Sequence, residues 1–303
     1  MTFADWVTGT KHRFETMPPS TAAKKSVHRL AIGAAGFPFR HISYGDSIWD
    51  RDWDILVLAD GCRYDLAEYV VPDVLPGVSM SLTRSVAMMS DDYYMRTFVD
   101  TDDLSDTALV TSNPFSDGHD LSHLGHVDEV WRDCWNGDQG TILAETVFRV
   151  AADFWNNRPD DIERMVVWAM QPHVPFIDSD IGTGYDSGEE WGGPCSDAWE
   201  LVETGAVERE TAWEAYADNL RYVLHAADEF STTVDADKLV ITSDHGNAIG
   251  EWGIYGHPPT YPLRCLTEVP WIELTATSTR NPQTVDRDSR ANLDEQLAAL
   301  GYK

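Results

Sequence analysis

The sequence has no long apolar run. Its longest candidate, residues 30–39, is short and interrupted by Gly and Pro, well below the roughly 20 residues of a membrane-spanning helix. The first residues also lack the charged-then-apolar pattern of a secretory leader, so a cytoplasmic location is expected. Cysteine is sparse: Cys62, Cys134, Cys195 and Cys265 form no C-x-x-C pair, which excludes a zinc ribbon and a thioredoxin-type site. Reduced, buried thiols are the expectation in a cytoplasm. Lysine is nearly missing, confined to Lys11, Lys24, Lys25, Lys238 and Lys303.

What is present is acid. Against 22 basic side chains stand 51 acidic ones, a net charge of -29 in 303 residues, distributed along the chain rather than in blocks. Such a surface stays soluble in very high salt, where repulsion is screened within a few ångströms. We read it as adaptation to a salt-rich cytoplasm, with binding of cations or basic partners as the rival reading. Either way nucleic acid is excluded as a partner, because its phosphates would be repelled. The charge is also uneven. Residues 1–44 carry Lys11, Arg13, Lys24, Lys25, Arg29 and Arg40 against Asp5 and Glu15, or +4; the remainder holds 16 basic and 49 acidic side chains, or -33. Residues 1–47 are therefore expected to form a basic arm packed on an acidic catalytic domain, 48–303. Contact with an anionic membrane is at most peripheral and through this arm.

Short β-branched runs mark strands at 54–59, 108–111, 165–170, 238–242 and 271–274. Helical spacing of apolar residues marks 141–154 and 211–230, and a capped pattern marks 289–300. Apolar strands alternating with helices imply an α/β fold, with a central sheet covered on both faces. The Gly-, Asp- and Ser-rich stretch 178–194 is too long and polar for a tight connection and reads as an excursion over the surface, such as an active-site lid.

Three of these strands run into polar clusters: Asp60-Gly61-Cys62-Arg63-Tyr64-Asp65, Gln171-Pro172-His173-Val174-Pro175-Phe176, and Ser243-Asp244-His245-Gly246-Asn247. Ligands in open α/β sheets bind beyond the carboxyl ends of the strands, so clusters distant in sequence can converge there. Carboxylates with an imidazole suit a divalent cation, zinc, manganese or magnesium. Asp244 and His245 can chelate together where the backbone turns sharply, which Gly246 would allow.

These clusters, with Trp53 to Asp65, Thr111-Ser112-Asn113-Pro114-Phe115, Gly250-Glu251 and Gly256-His257, resemble a sulfatase-like member of the alkaline phosphatase superfamily, in detail those of halophilic archaea. The matches run in order from about residue 48 to 272. The resemblance implies a three-layer sandwich with a mostly parallel central sheet and helices on both faces. It implies that Asp60 is the first metal-binding carboxylate and that Asp244 with His245 is the second metal-binding pair. His173 would lie near the substrate's anionic group, and His257 would contact substrate or a second metal, the alternative being a surface-loop histidine.

True sulfatases carry a C-x-P-x-R or S-x-P-x-R motif that becomes formylglycine, and none occurs here. Phosphatases and phosphotransferases of the superfamily use a plain Ser or Thr hydroxyl bound to the metal, about 30 residues after the first carboxylate and at a helix start, where N–H groups favour an anion. Ser90, ahead of Asp91-Asp92 and a helical run at 93–99, fits this place; it also has the chemistry of an N-cap, and Thr83 and Ser85 are rivals. Arg63 is a candidate anion clamp, or else a partner for Asp65 or Asp54. His119, His123 and His126 either help hold a second metal or belong to a solvated loop. The expectation is a metal-dependent hydrolase or transferase acting on phosphate or sulfate esters of glycans, lipids or small molecules, with Ser90 as nucleophile and metal ligand. The alternative is an inactive metal-binding or scaffold protein of the same fold.

Overall fold

In the computed structural model, residues 3–16, 18–36, 39, 42, 44–181, 198–258, 262–285 and 287 are described. The strands are β1 (Ile55–Ala59), β2 (Ser79–Arg84), β3 (Leu104–Thr111), β4 (Leu124–Glu129), β5 (Arg164–Ala169), β6 (Ala236–Thr242), β7 (Ala248–Ile249), β8 (Tyr255–Gly256) and β9 (Glu268–Ala276). The helices are α1 (Phe3–Thr16), α2 (Pro19–Gly36), α3 (Tyr64–Val74), α4 (Ser90–Tyr94), α5 (Ala144–Asn156), α6 (Ala198–Thr204), α7 (Arg209–Ser231) and α8 (Arg264–Thr267).

Seven strands form one sheet in the order β2-β9-β6-β1-β5-β3-β4. From β6 to β4 all neighbours are parallel; β9 and β2 add an antiparallel edge. β1 lies at the centre and is buried at every position, as an unbroken apolar run in a parallel sheet must be. Its two faces meet different layers. Ile55, Val57 and Ala59 pack with α3, α5 and α7 through residues such as Leu66, Val147 and Leu220. Leu56 and Leu58 face an aromatic layer of Trp53, Tyr93, Tyr94, Phe98 and Trp168. Helices thus cover both faces of a mostly parallel sheet, the three-layer α/β architecture that the sequence implies.

The five expected strands lie where β1, β3, β5, β6 and β9 form, and the two expected helices become α5 and α7. β2 and β4, at the sheet edges, are additional. The run at 93–99 is not one helix: α4 ends at Tyr94 and continues as a wider π-helical turn, Met95–Val99. The 289–300 helix, Cys195 and most of the 178–194 excursion lie outside the described residues. In the N-terminal helices, Trp6 on α1 donates to the Ser26 carbonyl of α2 (2.8 Å). Lys25 and Arg29 reach Glu203 of α6 at 3.1 and 3.4 Å. Among the described residues no helix is long and apolar enough to cross a membrane.

Leu58→Ala deletes apolar volume from the aromatic layer without touching a polar group. We expect it to destabilise the fold by about 2–5 kcal/mol in equilibrium urea unfolding.

Candidate metal centre

β1 and β6 are adjacent and parallel, with Leu58 level with Thr242. Asp60 and Asp244 each follow two residues beyond that level, so register alone sets the two carboxylates side by side. The turn after β1 requires Gly61: its φ is +70°, and a Cβ there would lie 2.9 Å from the Asn247 amide nitrogen. Its N–H donates to Asp244 Oδ1 at 3.0 Å. Gly246 serves differently from the expectation. Its backbone is not left-handed; a Cβ there would lie 2.2 Å from the Cys265 carbonyl oxygen, so close approach to another backbone excludes a side chain.

Asp60, Asp244 and His245 converge, with one ligand atom from each within 4.8 Å of the others. All three are sealed from solvent, at 1%, 0% and 0% exposure. His245 Nδ1 lies 2.9 Å from the Gly246 carbonyl. A carbonyl only accepts, so Nδ1 carries the proton and the Nε2 lone pair faces the carboxylates. It stands 3.2 Å from Asp244 Oδ2 and 3.8 Å from Asp60 Oδ1. Asp60 Oδ1 is buried without any hydrogen-bond partner. Burial first, and the Asp244 charge second, push the Asp60 carboxyl well above the ordinary carboxylate range. Lone pairs facing one another in a dry site fit a divalent cation, and this donor set suits zinc or manganese.

Ser90 completes the group. Its Oγ lies 2.8 Å from Asp244 Oδ2, 3.3 Å from Asp60 Oδ2 and 3.4 Å from His245 Nε2. The N-cap position of α4 is Met89, and no side chain caps the helix; the Ser90 hydroxyl instead faces the carboxylates. The rivals point elsewhere. Thr83 donates to Asp46, and Ser85 donates to the backbone carbonyl of Asp244.

His173 and His257 stand beside this centre. Their Nε2 atoms are 2.9 Å apart, and the His257 ring stacks on His245 with centroids 4.3 Å apart. His173 Nδ1 lies 2.8 Å from the Val174 carbonyl, so it donates there and its Nε2 accepts from His257, whose Nδ1 has no partner. Both rings are partly exposed. Desolvation lowers His173 to about 4, against the hydrogen bond to the Val174 carbonyl, which raises it. Desolvation and the other two histidines put His257 well below its ordinary value.

Arg63 is not brought to the centre. Its guanidinium pairs with Asp65, with Glu251 at 2.7 Å and with the Asn247 carbonyl at 2.9 Å, the ion-pair alternative to the anion clamp. Nor do the three upstream histidines converge. His119 pairs with Asp91 at 3.0 Å, His123 meets the Phe98 carbonyl, and His126 stacks on Phe154. Sequence reasoning overlooked Trp168, whose Nε1 donates to Asp60 Oδ2 at 3.0 Å, and gave no role to Asn113, whose Nδ2 donates to the same oxygen at 2.7 Å.

No protein-family model matches the chain, and no curated protein matches it in sequence. Solved structures do. The C-terminal periplasmic domain of phosphoethanolamine transferase EptC from Campylobacter jejuni superposes with a TM-score of 0.50 at 18% identity, covering 73% of this chain and 78% of that one. The soluble domain of lipooligosaccharide phosphoethanolamine transferase A from Neisseria meningitidis gives 0.52 at 16% identity, covering 82% and 84%. Both are alkaline phosphatase-like domains, and the likeness at this identity is one of fold.

Because the folded state raises the proton affinity of Asp60, its contribution to the metal-free protein is fully present below the ordinary carboxylate pKa and is lost as pH rises from there through the raised value. Asp60→Asn imitates the protonated form. At neutral pH it should raise metal-free stability by about 0.5–2 kcal/mol, a gain absent in acid. The same substitution should abolish the rise in Tm that Zn²⁺ or Mn²⁺ gives the unaltered protein, both read by differential scanning calorimetry.

Proposed function

We propose that the chain is a metal-dependent phosphotransferase or phosphohydrolase acting on phosphate esters of glycans or lipids through Ser90. The observation that carries this reading is the Ser90 hydroxyl held among two buried carboxylates and an imidazole rather than used as a helix cap. The names of the two structural neighbours, both phosphoethanolamine transferases, agree with it.

Asp60, Asp244, His245 and Ser90 would hold the cation. When bound, it supplies Lewis-acid stabilisation of a phosphoryl oxygen and lowers the proton affinity of the serine hydroxyl. Ser90 Oγ then attacks phosphorus as its proton passes to Asp244 Oδ2, its present acceptor. The bond from phosphorus to the leaving oxygen breaks, with its electron pair going to that oxygen. The neutral His173–His257 pair is suited to the second half, where it takes the proton of an incoming water or alcohol as that oxygen attacks the phosphoserine. The bond from phosphorus to Ser90 Oγ breaks with its electron pair going to Oγ, which takes its proton back from Asp244. An unmodified serine favours phosphate over sulfate as the transferred group.

The test is turnover of p-nitrophenyl phosphate, its bis-ester and p-nitrophenyl sulfate in multimolar KCl with Zn²⁺, Mn²⁺ or Mg²⁺. A phosphate ester should be cleaved and the sulfate left intact. Ser90→Ala should lower turnover by about 10³-fold or more. His257→Ala should slow the second half by about 10²–10⁴-fold and let phosphoserine accumulate, visible by intact-protein mass spectrometry. Full turnover by Ser90→Ala would move the nucleophile elsewhere. A metal-loaded protein that cleaves none of these esters would be a metal-binding scaffold.

A further inference from the structure

Asp60 has two oxygens in opposite situations. Oδ2 accepts from Asn113 Nδ2 at 2.7 Å and Trp168 Nε1 at 3.0 Å, and lies near Ser90. Oδ1 accepts from nothing although it is buried. Two fixed neutral donors therefore hold one oxygen and leave the other facing His245 Nε2.

The donors come from the sheet itself. Trp168 on β5 is level with Leu58 on β1 and with Thr111 on β3. Asp60 and Asn113 each follow two residues beyond those positions, so they flank the indole from either side. The indole is fixed in turn. It stacks on Tyr94 with centroids 4.4 Å apart and planes within 14°, and the Tyr94 hydroxyl meets Thr111 Oγ1 at 2.8 Å. Tyr94 lies one helical turn after Ser90, so the ring that orients the carboxylate also braces the helix that carries the hydroxyl.

We infer that Trp168 and Asn113 are positioning residues for the metal: together they make Asp60 a one-oxygen ligand through Oδ1 and set the affinity of the site. Partners behind a metal ligand commonly govern affinity 10–100-fold. The inference rests on the metal site of the proposed function but not on its chemistry, because metal can be bound without any substrate.

The experiment measures Zn²⁺ and Co²⁺ affinity of the metal-free full chain by competition with a chromophoric chelator, and records the visible spectrum of the Co²⁺ form. Trp168→Phe keeps an aromatic ring against Tyr94 and removes the N–H together with the second ring of the indole, a loss of volume that the Leu58→Ala control accounts for; Asn113→Leu keeps the branched shape and deletes the amide, serving as the second variant should the first not fold. Each should weaken binding about 10–100-fold and alter the Co²⁺ bands, as Asp60 becomes free to rotate or to offer both oxygens. Leu58→Ala is the control, since it loosens the same aromatic layer without removing a donor. It should leave affinity and spectrum unchanged despite its lower stability. If the donor deletions leave both unchanged, or if Leu58→Ala moves them equally, the positioning role is wrong while the metal site stands. If the unaltered protein binds neither ion, the metal site and the inference fall together.

Discussion

Two carboxylates buried side by side cannot both stay charged in a dry site without a compensating positive charge. Asp60 and Asp244 are in that position, and the guanidinium of Arg63, three residues on from Asp60, is committed to Asp65 and Glu251. Burial of one carboxylate can be relieved by protonation, as the raised proton affinity of Asp60 shows, but that leaves its Oδ1 unpaired. A divalent cation relieves both problems at once. The arrangement is therefore costly as an apo structure and favourable as a metal site, a pattern typical of centres kept for function rather than for stability.

The sheet builds this conflict deliberately, in the sense that no long loop is needed to create it. The level pairing of β1 with β6 and β5, and of β5 with β3, fixes where Asp60, Asp244, Trp168 and Asn113 stand. The following turns then need glycine, at Gly61 for its left-handed backbone and at Gly246 for its contact with the Cys265 carbonyl. Placing ligands directly after buried strands gives them rigidity that surface loops lack. The Ser90 hydroxyl, by contrast, is carried on a short helix. The stacking of Tyr94 on Trp168 ties that helix back to the sheet.

Much of this was legible in the sequence because the central strands are buried on both faces and so read as unbroken apolar runs followed by polar residues. DILVLA before Asp60 and KLVIT before Asp244 announce both strand and ligand. β2 and β4 gave no such signal, since edge strands with one exposed face carry polar residues such as Ser79, Ser81 and Asp128. Trp168 was hidden for a related reason: an indole inside an apolar run reads as core, and only pairing across strands reveals that its N–H meets a carboxylate. The role of Arg63 was also invisible, because whether a guanidinium faces a site or a neighbouring carboxylate depends on side-chain direction, not on position in the chain.

For the function we propose, the net charge of -29 bears on how the site would meet a phosphate-ester substrate. In dilute buffer a strongly acidic protein repels a phosphate ester, and the long-range field slows encounter. At about 1 M salt the Debye length falls to roughly 3 Å, and that field no longer reaches beyond the first contact. Recognition must then come from short-range groups: a bound cation, the Ser90 hydroxyl and the His173–His257 pair. Neutral histidines would suit that function, since they could exchange protons with the reacting oxygens without depending on a charge that salt would screen. An acidic surface and an anion-binding centre are thus compatible so long as the binding is done by contact rather than by steering.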